Sequence, residues 1–177
     1  IFYPASPRFI EPEAAGKITS RLPPFLTRVG VFVNEKPEYV NSATEAAGIT
    51  CVQLHGDYSE QALRRIKPDI IMSLSVNRGA KKSDLEKYRS HTILLDSGSK
   101  DLYGGTGTSF NWESALLLIP ENIRLIIAGG LGPQNAARAV KFFNPYGIDL
   151  NSGVEESPGI KDPALIEAAV KSVREVC

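Results

Sequence analysis

The stretch RLIIAGGLGPQNAARAVKFFNPYGIDLNSG, residues 124–153, carries the reading of the fold. Residues 124–128 form an apolar run of strand length, stopped by Gly129-Gly130. Pro133 follows, in a position where a first helical turn tolerates proline, so a helix is expected over 133–142, capped near Gly132. Residues 147–150 give a second short apolar strand, closed by Asn151-Ser152-Gly153. Strand, crossover helix and strand make a βαβ unit. Strands apolar on both faces belong in a parallel sheet covered by helices.

The same alternation extends toward the N-terminus. Strands are expected at 28–33, 50–54, 69–76 and 92–95, and helices at 11–22, 37–47, 59–66, 83–88 and 112–117. Pro23-Pro24 stops the first of these helices, Gly48 follows the second, and Ser59 or Asp57 caps the third. A loop rich in glycine and serine spans 97–110, and a last helix is expected over 163–173, capped by Asp162. Ile1-Phe2-Tyr3 is apolar and β-prone, then Pro4-Ala5-Ser6-Pro7 breaks it, so it reads as the end of a strand whose upstream residues lie outside this sequence. Six strands follow that stub. A doubly wound α/β sheet and a (β/α)8 barrel both fit; if the stub is strand two of a barrel, the count reaches eight. No linker, repeat beyond the β-α unit or low-complexity tract divides residues 1–177, which suit a single domain.

Composition excludes several classes. Lys plus Arg equals Asp plus Glu, 20 each, and no basic run occurs, which argues against a nucleic-acid or anionic-membrane binder. No apolar run is long enough to span a membrane, and the first residues lack the pattern of a signal peptide. Two cysteines, Cys51 and Cys177, do not make a disulfide framework, and a reducing cytoplasm is the default compartment. Cys51, His55, His91 and Cys177 lack zinc-ligand spacing, so no metal is expected.

In either architecture, polar residues at the C-terminal ends of strands are the functional suspects. They are Arg8 after the stub, Asn34, Gln53 with His55, Ser73 or Ser75, Asp96, Gly129 with Gly130, and Asp149, Asn151 and Ser152. The two glycine-bearing turns, Gly129-Gly130 and Ser152-Gly153, close successive strands. In barrel counting these are the seventh and eighth, where bare backbone N–H groups commonly bind phosphate. One such turn would read as a chain reversal; two adjacent ones favour phosphate. Gly105-Thr106-Gly107 is weaker, lacking the third glycine of a dinucleotide fingerprint, and no Walker sequence occurs.

Asp96 directly follows Ile93-Leu94-Leu95, at the mouth of an apolar strand, which suits a carboxyl to general acid work or to anchoring the loop. Asp149 adjoins the second glycine turn, a place for positioning a substrate. Gln53 and His55 share a face by strand alternation, with Cys51 below them. A histidine so placed is either a hydrogen-bonded structural residue or part of a site. Arg8 is either an anion clamp or a surface arginine.

These residues also carry a resemblance. Tyr3-Pro4-Ala5-Ser6-Pro7-Arg8, Val29-Gly30-Val31-Phe32-Val33-Asn34, Val52-Gln53-Leu54-His55-Gly56-Asp57, Gly104-Gly105-Thr106-Gly107, Ala128-Gly129-Gly130-Leu131 and Ser152-Gly153-Val154-Glu155 resemble, in order and spacing, the signature blocks of the phosphoribosylanthranilate isomerases. Ser157-Pro158-Gly159-Ile160-Lys161-Asp162 extends the last block. The resemblance implies a (β/α)8 TIM barrel, here expected to lack strand 1, helix 1 and most of strand 2. It implies an Amadori rearrangement of N-(5′-phosphoribosyl)anthranilate in tryptophan biosynthesis, with no metal or organic cofactor.

It further implies Asp96 as general acid and Arg8 on the anthranilate carboxylate, with Gln53 and His55 at the same part of the site. Asp149 would orient substrate hydroxyls, and the backbone at Gly129, Gly130, Asn151, Ser152 and Gly153 would hold phosphate. The family's general base is a cysteine in a Lys-(Ile/Met)-Cys-Gly-(Ile/Leu)-Thr motif on strand one. That motif does not occur in these residues, and Cys51 lies on another strand. The 177 residues alone are therefore expected to be nearly inactive, and an upstream β-α-β segment to restore turnover. Two other readings stand beside this one: another phosphoribosyl-binding barrel enzyme, and a non-catalytic remnant. The expected partners are a small phosphoribosyl substrate and, through open sheet edges, a second copy or a complementing N-terminal segment.

Overall fold

The structure, a computed structural model, describes residues 1–97 and 111–176. The Gly104-Gly105-Thr106-Gly107 block and Cys177 lie outside the described residues. Two compact units divide the chain, Ile1–Met72 and Ser73–Cys177. The order of the six main strands follows the chain, without the reversal that marks a doubly wound sheet. This is the barrel-like α/β arrangement.

In the first unit, α1 (Pro12–Thr19), β1 (Val29–Val33), α2 (Pro37–Ala47), β2 (Cys51–His55) and α3 (Glu60–Leu63) follow one another. β1 and β2 pair in parallel, from Val29 opposite Cys51 to Val33 opposite His55. The expected strand end at residues 1–3 is not a strand. Phe2 N–H nevertheless donates to Val31 C=O at 2.9 Å, and its ring packs on Phe32 with centroids 5.1 Å apart. α1 stops earlier than expected, because residues 21 and 22 tighten into i→i+3 bonds ahead of Pro23-Pro24. α1 approaches α2 closely: a Cβ on Gly16 would stand 2.5 Å from Ala46 O, and Thr19 Oγ1 donates to Ala47 O at 2.6 Å. α2 ends on Gly48 in the left-handed region, φ 61°. Ser59, rather than Asp57, caps α3 by accepting from Ala62 N–H.

β3 (Asp69–Ser75) spans the boundary in sequence. In the second unit come α4 (Lys82–Lys87), β4 (Thr92–Asp96), α5 (Trp112–Leu116), β5 (Leu125–Ile127), α6 (Ala136–Phe143) and β6 (Gly147–Ile148). β4, β5 and β6 pair in parallel in chain order. Ile93, Leu95, Ile127 and Leu131 fill the interior, and Trp112 packs on Phe143 with Arg138 4.6 Å over its ring. A 3₁₀ turn (Ser152–Val154), an antiparallel pair β7 (Glu155–Ser157) and β8 (Ile160–Lys161), and α7 (Pro163–Arg174) complete it. The hairpin escapes sequence reading because Glu155-Glu156-Ser157 offers no apolar alternation. Asp162 caps α7, its carboxylate accepting from Ala164 and Leu165 N–H.

Candidate active site

In the first unit, alternation along β2 buries Val52 and Leu54 on one side and sets Cys51, Gln53 and His55 on the other. Gln53 Nε2 lies 2.9 Å from His55 Nε2. With the amide N–H as donor, the imidazole nitrogen is the acceptor of this bond. His55 C=O accepts from Asn34 N–H at 2.9 Å, which joins the ends of β1 and β2. Asn34 takes a left-handed conformation, φ 53°, and its side chain fills the space where any Cβ on Gly56, φ 116°, would collide. Burial pushes the Cys51 thiol up and the Asp69 charge adds to it, which favours a neutral thiol over a nucleophile. Arg8 is half-buried in the turn after residue 3, its backbone N–H donating to Ser6 Oγ.

The second unit holds the acids and the glycine turns. Asp96 ends β4 and is 6% exposed; Ser97 Oγ donates to its Oδ1 at 3.3 Å. Ser75 Oγ donates to Ser97 C=O, so β3 also steadies this corner, while Ser73 is buried. Asp149, just past β6, is half-buried. Burial pushes its carboxyl up, the charge of Asp96 pushes it further, and Lys161 opposes both.

Gly129 and Gly130 both adopt positive φ, 101° and 63°. A Cβ on Gly129 would stand 2.5 Å from Ser97 Oγ and 2.6 Å from Ser97 N, so the turn lies directly on the residue after the acid. Gly132 and Gly153 bring their turns into backbone contact: a Cβ on Gly132 would be 2.6 Å from Gly153 O. Among the described residues, the N–H groups of Gly129 and Gly130 have no acceptor. Asn151 is engaged elsewhere: Lys161 Nζ donates to its C=O at 2.9 Å, to its Oδ1 at 2.7 Å and to Glu155 Oε1 at 2.9 Å.

The structure therefore groups Gln53 with His55 and Asn34, and separately groups Asp96, Asp149, Gly129, Gly130, Ser152 and Gly153. Ser97, Asn135 and Lys161 were missed by sequence reading. Lys161 stands inside the quoted block 157–162, and Asn135 falls three residues after Gly132, the spacing of a capping box. Among the described residues no group of three or more His, Cys, Asp or Glu could hold a metal. Among the described residues no helix is long and apolar enough to cross a membrane.

Comparison with known proteins gives a consistent outcome. A sequence model of the N-(5′-phosphoribosyl)anthranilate isomerase family matches residues 1–172. The N-(5′-phosphoribosyl)anthranilate isomerase of Syntrophus aciditrophicus is 46% identical over 175 residues, covering 98% of this chain and 76% of that protein. The crystal structure of the phosphoribosyl anthranilate isomerase of Thermotoga maritima superposes with a TM-score of 0.86 at 37% identity, covering 98% of this chain and 85% of that one. Another structure of such an isomerase, in complex with reduced 1-(o-carboxyphenylamino)-1-deoxyribulose 5-phosphate, has a TM-score of 0.79 at 34% identity, covering 98% of this chain and 84% of that one.

Proposed function

This chain belongs to the N-(5′-phosphoribosyl)anthranilate isomerase family, and from that premise we propose how its residues divide the work. The reaction is the Amadori rearrangement of N-(5′-phosphoribosyl)anthranilate to 1-(2-carboxyphenylamino)-1-deoxyribulose 5-phosphate, an isomerase step of tryptophan biosynthesis.

Asp96 acts as the general acid, protonating the ribose ring oxygen so that the ring opens to a Schiff base. Its burial beside Ser97, in a corner braced by Ser75, supports this role by holding the carboxyl in one place. Loss of the C2′ proton then gives the enolamine, which tautomerises to the ketose. No residue of these 177 is assigned the base for that proton. Asp149 orients the substrate hydroxyls. Arg8 holds the anthranilate carboxylate, and Gln53 and His55 border it, the amide fixing the imidazole.

The phosphate sits against the backbone of Gly129, Gly130, Ser152 and Gly153. The observation that carries this reading is the pair of consecutive positive-φ glycines whose N–H groups lack acceptors among the described residues. Asn151 Oδ1 accepts from Lys161, which leaves its amide N–H groups to donate to the phosphate. A reducing compartment, the cytoplasm, fits the buried free thiol of Cys51. Self-association is part of the proposal, through the exposed apolar run Leu22, Phe25 and Leu26.

Conversion of phosphoribosylanthranilate, followed by loss of its fluorescence, tests the acid. In a preparation competent for turnover, Asp96→Asn should slow the reaction by at least about a hundredfold, the low end of general acid contributions. Product-analogue binding should be retained. Near-normal turnover would reduce Asp96 to a loop anchor.

A further inference from the structure

Asn135 stands just before α6, where an asparagine ordinarily caps a helix with its side chain. It makes no such bond. Its side chain turns back along the chain instead. Oδ1 accepts from Gly132 N–H at 2.8 Å, and Nδ2 donates to Gly130 C=O at 3.1 Å. Gly132 C=O in turn accepts from the N–H groups of Asn135 and Ala136, at 3.1 and 2.9 Å. Gly132 is thus the residue that starts the helical turn, and Asn135 is the third-position partner of a capping box, reaching two residues further than such a partner needs to.

The second bond has a geometric consequence. Peptide groups are planar and trans, so a carbonyl and the following N–H point in opposite directions. Drawing Gly130 C=O toward Asn135 turns Leu131 N–H away from it. The left-handed glycines before it lack the steric restraint of a Cβ, so this side-chain bond replaces the rigidity that the sequence Gly129-Gly130 gives up. Like those two glycines, Leu131 has no acceptor for its N–H among the described residues. The backbone contact of Gly132 with Gly153 carries the constraint across to the second turn.

We propose that Asn135 is a positioning residue for the substrate phosphate, fixing the peptide groups at Gly130 and Leu131 in the orientation that receives it. This rests on the assignment of phosphate to the turns after β5 and β6. The side chain touches the turn, not the substrate, so its loss acts on the phosphate-dependent part of binding.

Calorimetry with reduced 1-(o-carboxyphenylamino)-1-deoxyribulose 5-phosphate and its dephosphorylated counterpart tests the proposal, alongside thermal unfolding. Asn135→Ala removes both bonds. Asn135→Ser retains a hydroxyl able to accept from Gly132 N–H but is too short to hold Gly130 C=O as well. The expected result is a loss of at least about tenfold in affinity for the phosphorylated analogue in both variants, with the dephosphorylated analogue unchanged and Asn135→Ser melting nearer the wild type than Asn135→Ala. Should Asn135→Ala fail to fold, Asn135→Ser decides alone. Phosphorylated-analogue affinity within twofold of wild type in Asn135→Ser overturns the proposal, and so does an equal loss for both analogues, which would mark a merely structural role. Equal affinity of the wild type for the two analogues would instead remove the phosphate assignment itself.

Discussion

Asp149 carries its carboxyl in surroundings that oppose its charge. Its carboxyl is pushed up by burial and by the charge of Asp96, so the folded chain binds its proton more readily than the unfolded chain does. The raised value fixes the sign. Its contribution to stability is fully present below the ordinary 3.8 and is lost as pH rises through the folded value. Asp149→Asn removes that titration. The variant should show a flatter dependence of Tm on pH above 3.8 and a higher Tm at neutral pH. Lys161, whose charge lowers the value, opposes the shift. A lower Tm at neutral pH would mean that the carboxylate is structurally required. The places of Asp96, Gln53 and His55 on their strands were legible in sequence because apolar runs and alternation define them. Ser97, Asn135 and Lys161 were not, because side chains that bond to irregular backbone leave no periodic signature. Asn151 was legible as a strand-end residue but not as the ligand of Lys161, which comes from a hairpin with no apolar pattern.

The elements themselves were read from apolar periods and punctuation, and their errors are physical ones. α2 matches its expected bounds because Pro37 and Gly48 fix both ends. α6 is regular only from Ala136, three residues after its expected start, although Gly132 C=O already accepts from Asn135 and Ala136 N–H, and α1 ends early where the chain tightens before two prolines. The packing of α1 on α2 gives a test in which two effects oppose each other. An alanine in place of a helical glycine gains about 0.8–1.0 kcal/mol from propensity. At Gly16 the new Cβ would meet the backbone oxygen of Ala46 at 2.5 Å, and forcing backbone apart in a packed interface costs about 1–3 kcal/mol. Overpacking should win, so Gly16→Ala should lower the Tm by a few degrees, at about 2–4 °C per kcal/mol. A raised Tm would show that α1 slides off α2 freely.

At the scale of the whole molecule, strand order without reversal and the family match agree on the barrel type. That order was legible only to within two architectures before the residues of the signature blocks were weighed. One surface feature has no sequence signature beyond its prolines. Phe25 is 99% exposed, with Leu26 and Leu22 at 50% and 40%, directly after or before Pro23-Pro24, whose fixed φ stiffens the run. Burying a phenylalanine side chain is worth about 1.5–3 kcal/mol. Light scattering should therefore show a mass that rises with protein concentration, and Phe25→Ser should shift it toward the monomer. A monomeric mass at every concentration would exclude this face as an interface.

The central claim, that these residues bind a phosphoribosyl compound with its phosphate on the glycine turns, meets its most direct test in calorimetry. Reduced 1-(o-carboxyphenylamino)-1-deoxyribulose 5-phosphate should bind the wild type in a 1:1 ratio. Gly130→Asp places a carboxylate at φ 63° beside the phosphate position, and affinity should fall by at least about tenfold, ~1.4 kcal/mol. Equal affinity for both proteins, or no binding by the folded wild type, would contradict the account.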